Sequence, residues 1–346
     1  MEIFGLDKDF GLVTADIPYF NLQWSRKYYE PGDFSLQVSA EVYDGSWAYI
    51  MTNDRPEVGL VQKLSYTNDG GERLVQLSGF FAEKLLDDFV AVPRFTGDFT
   101  TTEAAVKGMF DGYGVNARKG ITWRANSPLL GNRTQCDFIG DSLAAKWSGM
   151  LETREMSYRV HAVNGFTALE AFVWQGLDRT QSQTANPWCV FSTDFGNVVG
   201  ESVDIDESAH ANVCIVTAAD ESVTFEVDVS GGAERREMWL DKGSESYDSS
   251  KWASEDEWRD ALKQEALEAL AGREVSQEID VTSYGDAGYM VDYDLGDKVT
   301  IQLPDVGLSL EARIVEVSEV FKPEGHEVSL GFGSKRISNI ERAVKS

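Results

Sequence analysis

The sequence predicts a mainly β protein with an α+β insertion, and three observations support that class. Alternating apolar and polar residues, the period of half-buried strands, fill most of the first 80 residues. The alternation returns in the last third, interrupted by helical spacing at about 254–272. Helical and strand patterns mix in between. We predict a first β domain at 1–95, a mixed α/β middle domain at 96–205, a second β domain at 206–338 and a C-terminal tail at 339–346.

The first predicted element is a hairpin, LQWSRKYYEPGDFSLQV, from Leu22 to Val38. Pro31-Gly32 suits the centre of a type II turn, because proline fixes φ and glycine tolerates a positive φ. Apolar residues of both strands alternate with polar ones, so we expect them to fill a core. These candidate core residues are Trp24, Tyr28, Phe34 and Leu36.

Turn and capping signals predict the elements that follow. NDGG at 68–71 predicts a hairpin turn between strands at 58–66 and 73–80, and AEKLLDDF predicts a short helix. Thr100 and Glu103 have the spacing of a capping box, and Asp141 can cap a second helix. Ser254 and Glu257 open the predicted helix of the last third.

The two β regions show a weak internal similarity. Each has a Gly-led strand, a longer alternating strand, a Gly-containing turn and a strand that ends in Leu-x-Gly. Either two similar β domains flank a different middle domain, or the two β-meanders are alike only because most β-meanders are. The sequence leaves both interpretations open.

The charge distribution excludes several classes of partner. The chain carries 58 acidic and 31 basic residues, a net charge of −27. Residues 61–200 contribute only −2, from 15 acidic and 13 basic residues, so the flanks carry −25. Proteins that grip phosphate gather Lys and Arg. We therefore expect neither a nucleic-acid binder nor a protein of anionic membrane surfaces.

The N-terminus and the cysteines indicate the compartment. MEIFGLDKDFGL lacks the apolar core of a signal peptide, and no run approaches the roughly 18 apolar residues of a spanning helix. The cysteines, Cys136, Cys189 and Cys214, are far apart and odd in number, which favours reduced thiols. We expect synthesis in a reducing, cytosolic compartment and no membrane anchor.

No catalytic, cofactor-binding or metal site is predicted. His161, His210 and His326 are isolated, and the sequence contains no P-loop, no G-x-S-x-G and no zinc-ligand spacing. VDYDLGD superficially resembles a calcium loop, but the twelfth position counted from Asp292 is Leu303, where an EF-hand needs Glu. An ordinary turn is favoured over a calcium site there.

Two features have both a functional and a structural interpretation. GLDRTQSQ places Asp178 beside Arg179 in a polar loop, which is either a contact site or a local salt bridge. Five tryptophans could form a sugar-binding platform, although aromatic residues in strands mostly belong to the core. They are Trp24, Trp47, Trp123, Trp174 and Trp188.

The opening hairpin resembles the N-terminal signature of tail proteins from long-tailed phages and prophages of Gram-positive bacteria. The residues that carry this resemblance are Trp24, Tyr28, Gly32, Phe34 and Leu36, and the doubled RKYY departs from the pattern. GLVQKLSYTNDGGERLVQLSGFFAEKLL, VFSTDFGNVVGESVDIDESAHANVCIV and YMVDYDLGDKVTIQ…EARIVEVSEVF are also similar to that family, in order and spacing. Gly296, in the last stretch, is a further candidate core residue.

This resemblance implies a structural protein of the baseplate-hub and tail-tip group. In such proteins two similar β-barrel tube domains flank a middle domain, and three copies form a ring that continues the tail tube. We therefore expect a homotrimer at the virion tail tip, in contact with distal tail and tail-tube proteins, and in some tails with fibre or receptor-binding proteins. DNA would pass as transient cargo, repelled by an acidic lumen. No cofactor and no enzyme activity are implied.

Other functions and a set of contact residues remain open. The chain could instead be a tail-associated cell-wall hydrolase or a receptor- or carbohydrate-binding tail protein. Strict alternation turns only some of the residues Arg26, Lys27 and Tyr29 away from the core, so their role stays open. They are candidate contacts with an acidic neighbouring subunit, as are Asp178 and Arg179. Replacing Arg26 and Lys27 by Glu is expected to impair ring assembly without unfolding the monomer.

Overall fold

The computed structural model describes residues 1–163, 165, 167–249, 252, 254–273, 276–283, 288–323 and 325–333. The chain divides into a larger unit, Met1–Ser202 with Asp280–Gly333, and a smaller unit, Val203–Ile279. The predicted third domain, 206–338, is thus shared between the two units. The predicted tail, 339–346, lies outside the described residues.

Short strands joined by tight turns form the N-terminal part of the larger unit. They are β1 (Ile3–Leu6), β2 (Leu12–Thr14), β3 (Asn21–Lys27), β4 (Asp33–Ser39), β5 (Tyr49–Thr52), β6 (Gly59–Leu60), β7 (Lys63–Asp69) and β8 (Glu72–Phe80). The predicted strand at 58–66 is therefore two strands. The predicted hairpin turn is confirmed, since Gly70 and Gly71 both have a positive φ between β7 and β8.

Gly32, between β3 and β4, is needed for a reason other than the predicted one. Its φ does not lie in the left-handed region. A Cβ at this position would lie 2.6 Å from the ring of Phe81 and would also overlap the backbone oxygen of Ser25. Close packing, rather than a type II turn with a positive φ, therefore requires glycine here.

Helices and strands alternate in the next part of the chain. After a 3-10 helix at Ala82–Asp88 come β9 (Phe95–Phe99), α1 (Thr102–Gly112), α2 (Val115–Lys119), β10 (Thr122–Trp123), β11 (Thr134–Phe138), α3 (Leu143–Glu152), β12 (Ser157–Val163) and β13 (Ala168–Trp174). Thr101 and Ser142 cap α1 and α3, each one residue after the predicted cap. Asp141 has a positive φ of 58°, whereas Ser142 has the extended backbone that a capping residue requires.

The rest of the chain is mostly β. It contains β14 (Val190–Ser192), β15 (Val198–Asp206), β16 (Val213–Ala218), β17 (Val223–Asp228), β18 (Glu237–Lys242), α4 (Glu255–Ala271), β19 (Ser276–Ser283), β20 (Lys298–Leu303), β21 (Leu308–Lys322) and β22 (Gly325–Gly333). Further 3-10 turns lie at Thr193–Phe195 and Pro304–Val306. The predicted α4 is confirmed, and the hydroxyl of Ser254 accepts a hydrogen bond from the backbone N–H of Glu257 at 3.2 Å.

Strands from both ends of the chain share one sheet. Its order is β15-β19-β22-β21-β3-β4-β8-β7, with β20 pairing with β21 and β14 pairing with β20. In the antiparallel ladder of β3 and β21, Lys27 lies opposite Glu316 and Leu22 lies opposite Phe321. The mainly β prediction is confirmed. No closed barrel is found among the described strands, because the first and last thirds complete one sheet instead of two separate barrels.

Separate apolar clusters support these parts of the chain. The aromatic and aliphatic side chains on the buried face of the first hairpin pack against Trp47 and Phe81. A second cluster joins the 3-10 helix at Ala82–Asp88 to α1, α3, β12 and β13. The predicted core residues Trp24, Tyr28, Phe34 and Leu36 are all buried. The smaller unit has its own core, in which α4 packs against β16.

Candidate assembly site

Arg26, a predicted subunit contact, lies inside the larger unit. It has the same parity along β3 as Trp24, so both side chains point to the buried face. Its Nε donates to Oε1 of Glu57 at 2.7 Å, and its Nη1 donates to the hydroxyl of Tyr289 at 2.7 Å and to Oδ1 of Asp294 at 2.8 Å. Arg26 therefore joins β3 to a loop before β6 and to a turn before β20.

Burial and neighbouring charge act in opposite directions on the pKa of Glu57, which is only 1% exposed. Burial alone would raise the pKa of its carboxyl, but the Arg26 guanidinium, aided by His161 and Arg159, lowers that pKa to about 2. Burial lowers the pKa of the nearby His161 to about 4. Glu57 is therefore charged and His161 neutral in the folded protein near neutral pH.

A second ion pair joins Glu319 on β21 to Arg55, which lies between β5 and β6. The carboxylate of Glu319 is fully buried and accepts two hydrogen bonds from Arg55, at 2.6 and 3.1 Å. Its Oε1 also lies 3.1 Å from Nε2 of His326. We call Arg26, Arg55, Glu57, Asp294 and Glu319 the buried ion cluster; the side chain of Asp294, which is 40% exposed, lies at its edge. The cluster fixes the β3–β21 ladder to the loops around it, because a buried charge must keep its partners.

Sequence reasoning missed the acidic members of this cluster, although one signal was available. Val317, Glu319 and Phe321 share one face of β21, so the alternation places a carboxylate among apolar residues. An acidic residue at such a position is typical of a paired buried charge. The same reasoning from Trp24 would have placed Arg26 inward.

Lys27 and Tyr29 retain accessible surface. The ammonium of Lys27 lies 3.2 Å from Oδ2 of Asp33 and 3.5 Å from Oε1 of Glu30, and its side chain is 22% exposed. Tyr29 is half-buried, with its ring edge-on to Tyr28 at a centroid distance of 4.7 Å. Burial raises the pKa of Tyr29, so its hydroxyl stays protonated. Of the three predicted hairpin contacts, these two remain available to another chain.

Asp178 and Arg179 do not form the local salt bridge that one interpretation predicted. Asp178 is exposed, and its Oδ1 accepts hydrogen bonds from the backbone N–H and the hydroxyl of Thr180, at 3.0 and 2.7 Å. Arg179 instead donates to the buried carboxylate of Asp297 at 2.8 Å. Asp297 also accepts from the backbone N–H of Leu177 at 2.8 Å, which holds the loop against the start of β20.

Gly296 permits this arrangement. Its φ is +85°, and a Cβ would overlap the ring of Tyr28 and lie 2.9 Å from the ring of Trp174. Only glycine lets the turn lie against both aromatic rings. The predicted core glycine is therefore the point where the turn before β20 contacts Tyr28, which follows β3, and Trp174 of β13.

Two clefts border the loop that carries Asp178 and Arg179. One has a volume of about 520 Å³ and is lined by Asp178, Trp174, Lys298 and Arg313, among others. The other has a volume of about 300 Å³, and its lining includes Arg179 and Trp188. The predicted contact pair thus lies where the larger unit has concave surface.

The five tryptophans of the alternative sugar platform are not brought together on one exposed surface. Trp24 and Trp47 are core residues, and Trp123 and Trp174 are half-buried. Trp188 alone among the five is exposed, at 57%.

The described part of the chain contains neither a metal-ligand group nor a membrane-spanning helix. No group of three or more His, Cys, Asp or Glu side chains there could hold a metal ion. Two carboxylates of the calcium-like stretch, Asp294 and Asp297, pair with Arg26 and Arg179 instead. Within the same residues, no helix combines the length and apolarity needed to cross a membrane.

The chain is similar to phage tail proteins. The family model of Siphovirus ReqiPepy6 Gp37-like proteins matches residues 116–334, more than half of the sequence. No curated protein matches.

Solved structures share the fold over 96–100% of the chain. A tail protein from Neisseria meningitidis has a TM-score of 0.59 at 14% identity, covering 96% of this chain and 95% of that one. The prophage tail protein gp18 from Listeria monocytogenes has a TM-score of 0.56 at 15% identity, covering 100% and 98%. The 43 kDa tail protein of prophage MuSo2 from Shewanella oneidensis has a TM-score of 0.56 at 12% identity, covering 96% and 98%.

Proposed function

This chain belongs to the family of Siphovirus ReqiPepy6 Gp37-like proteins, and from that premise we propose that it is the hub subunit of a long-tailed phage or prophage tail tip. In this proposal three copies form a ring that continues the tail tube and lets DNA pass. Its partners are distal tail and tail-tube proteins, and in some tails fibre or receptor-binding proteins. The role is structural, without catalysis, and the Gram-positive host stays a prediction.

The observation that carries this proposal is the β3–β21 ladder. It joins the two ends of the larger unit in one continuous sheet, and the buried ion cluster fixes the loops beside it. A subunit that forms part of a tube wall needs such a continuous and rigid sheet. The similarity to whole tail proteins, rather than to one domain of them, supports the same role.

The candidate contacts of this ring are Lys27, Tyr29, Asp178 and Arg179. Arg26 cannot serve the test that the sequence suggested, because a Glu at its buried position would face Glu57 and Asp294. The matched test is Lys27→Glu against Lys63→Glu, since Lys63 lies exposed on β7. We expect Lys27→Glu alone to reduce the yield of assembled tails. Equal yields from the two variants would remove Lys27 from the interface.

The charge distribution supports an acidic lumen. Residues 61–200 contribute only −2 to the net charge of −27, so the flanking residues carry −25. Acidic surfaces that face the channel would repel DNA in transit. A map of the assembled tail with a neutral or basic channel would refute this part of the proposal.

The decisive experiment locates the chain in the particle. Electron microscopy of tails that carry an affinity-tagged copy is expected to show a threefold ring of this chain at the distal end of the tube. Tails that assemble normally after deletion of the coding region would contradict the proposal. Clearing of peptidoglycan by the purified protein in a zymogram would favour the cell-wall hydrolase instead.

A further inference from the structure

The smaller unit has a sheet that is covered on one side only. α4 packs on the face that carries Cys214, Val216 and Ala218, through Trp258 and Leu262 among others. Neighbouring residues of β16 point the opposite way, because side chains alternate along a strand. We call that opposite side the open face; it carries Ile215, Thr217, Glu226, Glu237, Trp239 and Asp241.

A large aromatic residue lies exposed on the open face. Trp239 on β18 is 62% exposed, although strand tryptophans usually pack into a core. Its indole Nε1 donates to the hydroxyl of Thr217 at 2.9 Å, across the parallel pair β16–β18. The ring is thereby held in one orientation while much of its surface stays open to solvent.

The carboxylates around Trp239 determine which partner fits. Glu237 and Asp241 flank it on β18, and Glu226 lies across β16 on β17. Arg235 forms ion pairs of 2.6 Å with both Glu226 and Glu237, so its single positive charge offsets only one of these two negative charges. Asp241 has no ion pair among the described residues. With a net charge of −13 from the 20 acidic and 7 basic residues between 203 and 279, the open face attracts cations and repels phosphate.

We propose that the open face docks a basic, extended segment of another protein. A Lys or Arg of that segment would stack on the Trp239 ring, where the quadrupole of the indole attracts a cation. Neighbouring basic residues would pair with Asp241 and compete with Arg235 for Glu237. This inference goes beyond the proposed ring, because it assigns a partner to the smaller unit alone.

The experiment compares two exposed tryptophans of the full-length chain. A fluorescein-labelled peptide of Lys-Ser repeats is titrated with the protein, and binding is followed by fluorescence anisotropy at low and moderate salt. Trp239→Ala is expected to weaken binding about three- to tenfold. Trp188→Ala, at a tryptophan of similar exposure in the larger unit, is expected to leave it unchanged.

Two further variants keep the test decisive. Trp239→Phe retains an aromatic face and should give intermediate affinity, while circular dichroism checks that both Trp239 variants keep the fold. Arg235→Ala frees Glu226 and Glu237, so tighter binding is expected, and unchanged or weaker binding counts against the proposal. Equal losses of peptide affinity for Trp239→Ala and Trp188→Ala would overturn the proposal. So would binding of a neutral chito-oligosaccharide at Trp239 in place of the peptide.

Discussion

Ion pairs of the larger and smaller units have similar lengths and very different surroundings. Arg26 and Glu57 lie 2.7 Å apart, with side-chain exposures of 6% and 2%. Arg235 and Glu226 lie 2.6 Å apart, with side-chain exposures of 42% and 53%. Water and salt screen the second pair but not the first. Burial, not distance, therefore decides which arginine supports the fold and which stays free to exchange partners.

Removing one buried charge is the strongest test of this comparison. Glu57→Gln leaves the Arg26 guanidinium without its main countercharge inside the larger unit. We expect a loss of about 3–5 kcal/mol in the free energy of unfolding. Hydrogen exchange of the β3 amides measures it locally. The double replacement Arg26→Met with Glu57→Leu should recover most of the loss, since it removes both charges; no recovery would mean that the pair is not the cause.

The turn that contains Asp294 and Asp297 gives a second test, with a smaller expected effect. Gly296→Ala forces a Cβ against Tyr28 and Trp174 at a φ of +85°. The expected loss is about 2–4 kcal/mol, from backbone strain and overpacking together. Gly307→Ala is the matched control: its φ is +67° and a Cβ there meets open space, so strain alone costs about 1–2 kcal/mol. Equal melting temperatures for the two variants would contradict the packing role.

Acid should weaken the larger unit in two stages. His161 has its folded pKa lowered from 6.5 to about 4, so the unfolded chain binds more protons and stability falls as pH drops through that window. Glu57 has its folded pKa lowered from 4.5 to about 2, so its contribution is lost as pH falls further, toward 2. Urea midpoints measured against pH should show both stages. His161→Gln should remove the first stage, and a profile identical to that of the parent chain would disprove its assignment.

The smallest effect is expected at the exposed pair. Arg235→Ala removes two ion pairs from the surface of the smaller unit. The free energy of unfolding of this variant should equal that of the parent protein within experimental error at physiological salt, because exposed pairs are screened. Thermal unfolding of the parent protein and of the Arg235→Ala variant, at low and high salt, measures this difference. A loss as large as that of Glu57→Gln would break the comparison between the two units.

The sequence predicted local features well and long-range pairing poorly. Period-two alternation was enough to place Trp24 and Phe34 in the core, and a capping serine was enough to start α4. The pairing of β3 with β21 joins residues far apart in the chain, and neither strand contains a signal that names its partner. The buried ion cluster depends on that pairing, so its partners could not be predicted either.

Arg26 illustrates why a residue predicted as a subunit contact can lie inside the fold. Considered together with Lys27, it looks like part of a basic surface patch. Considered by parity with Trp24, it belongs inside. The choice between these interpretations depends on whether a carboxylate lies nearby to accept the charge, and Glu57 is separated from Arg26 by 31 positions in the sequence.

The β3–β21 ladder also constrains how the protein is made. Lys27 pairs with Glu316, so β3 lacks one of its two neighbours until β21 has left the ribosome, 289 residues later. At bacterial elongation rates that delay is roughly 15–60 s. During this time an apolar strand has an unpaired edge, which is a site for aggregation. The three-stranded sheet of the smaller unit needs no strand later than β18 and is covered once α4 has followed, so it can form while β3 still lacks β21.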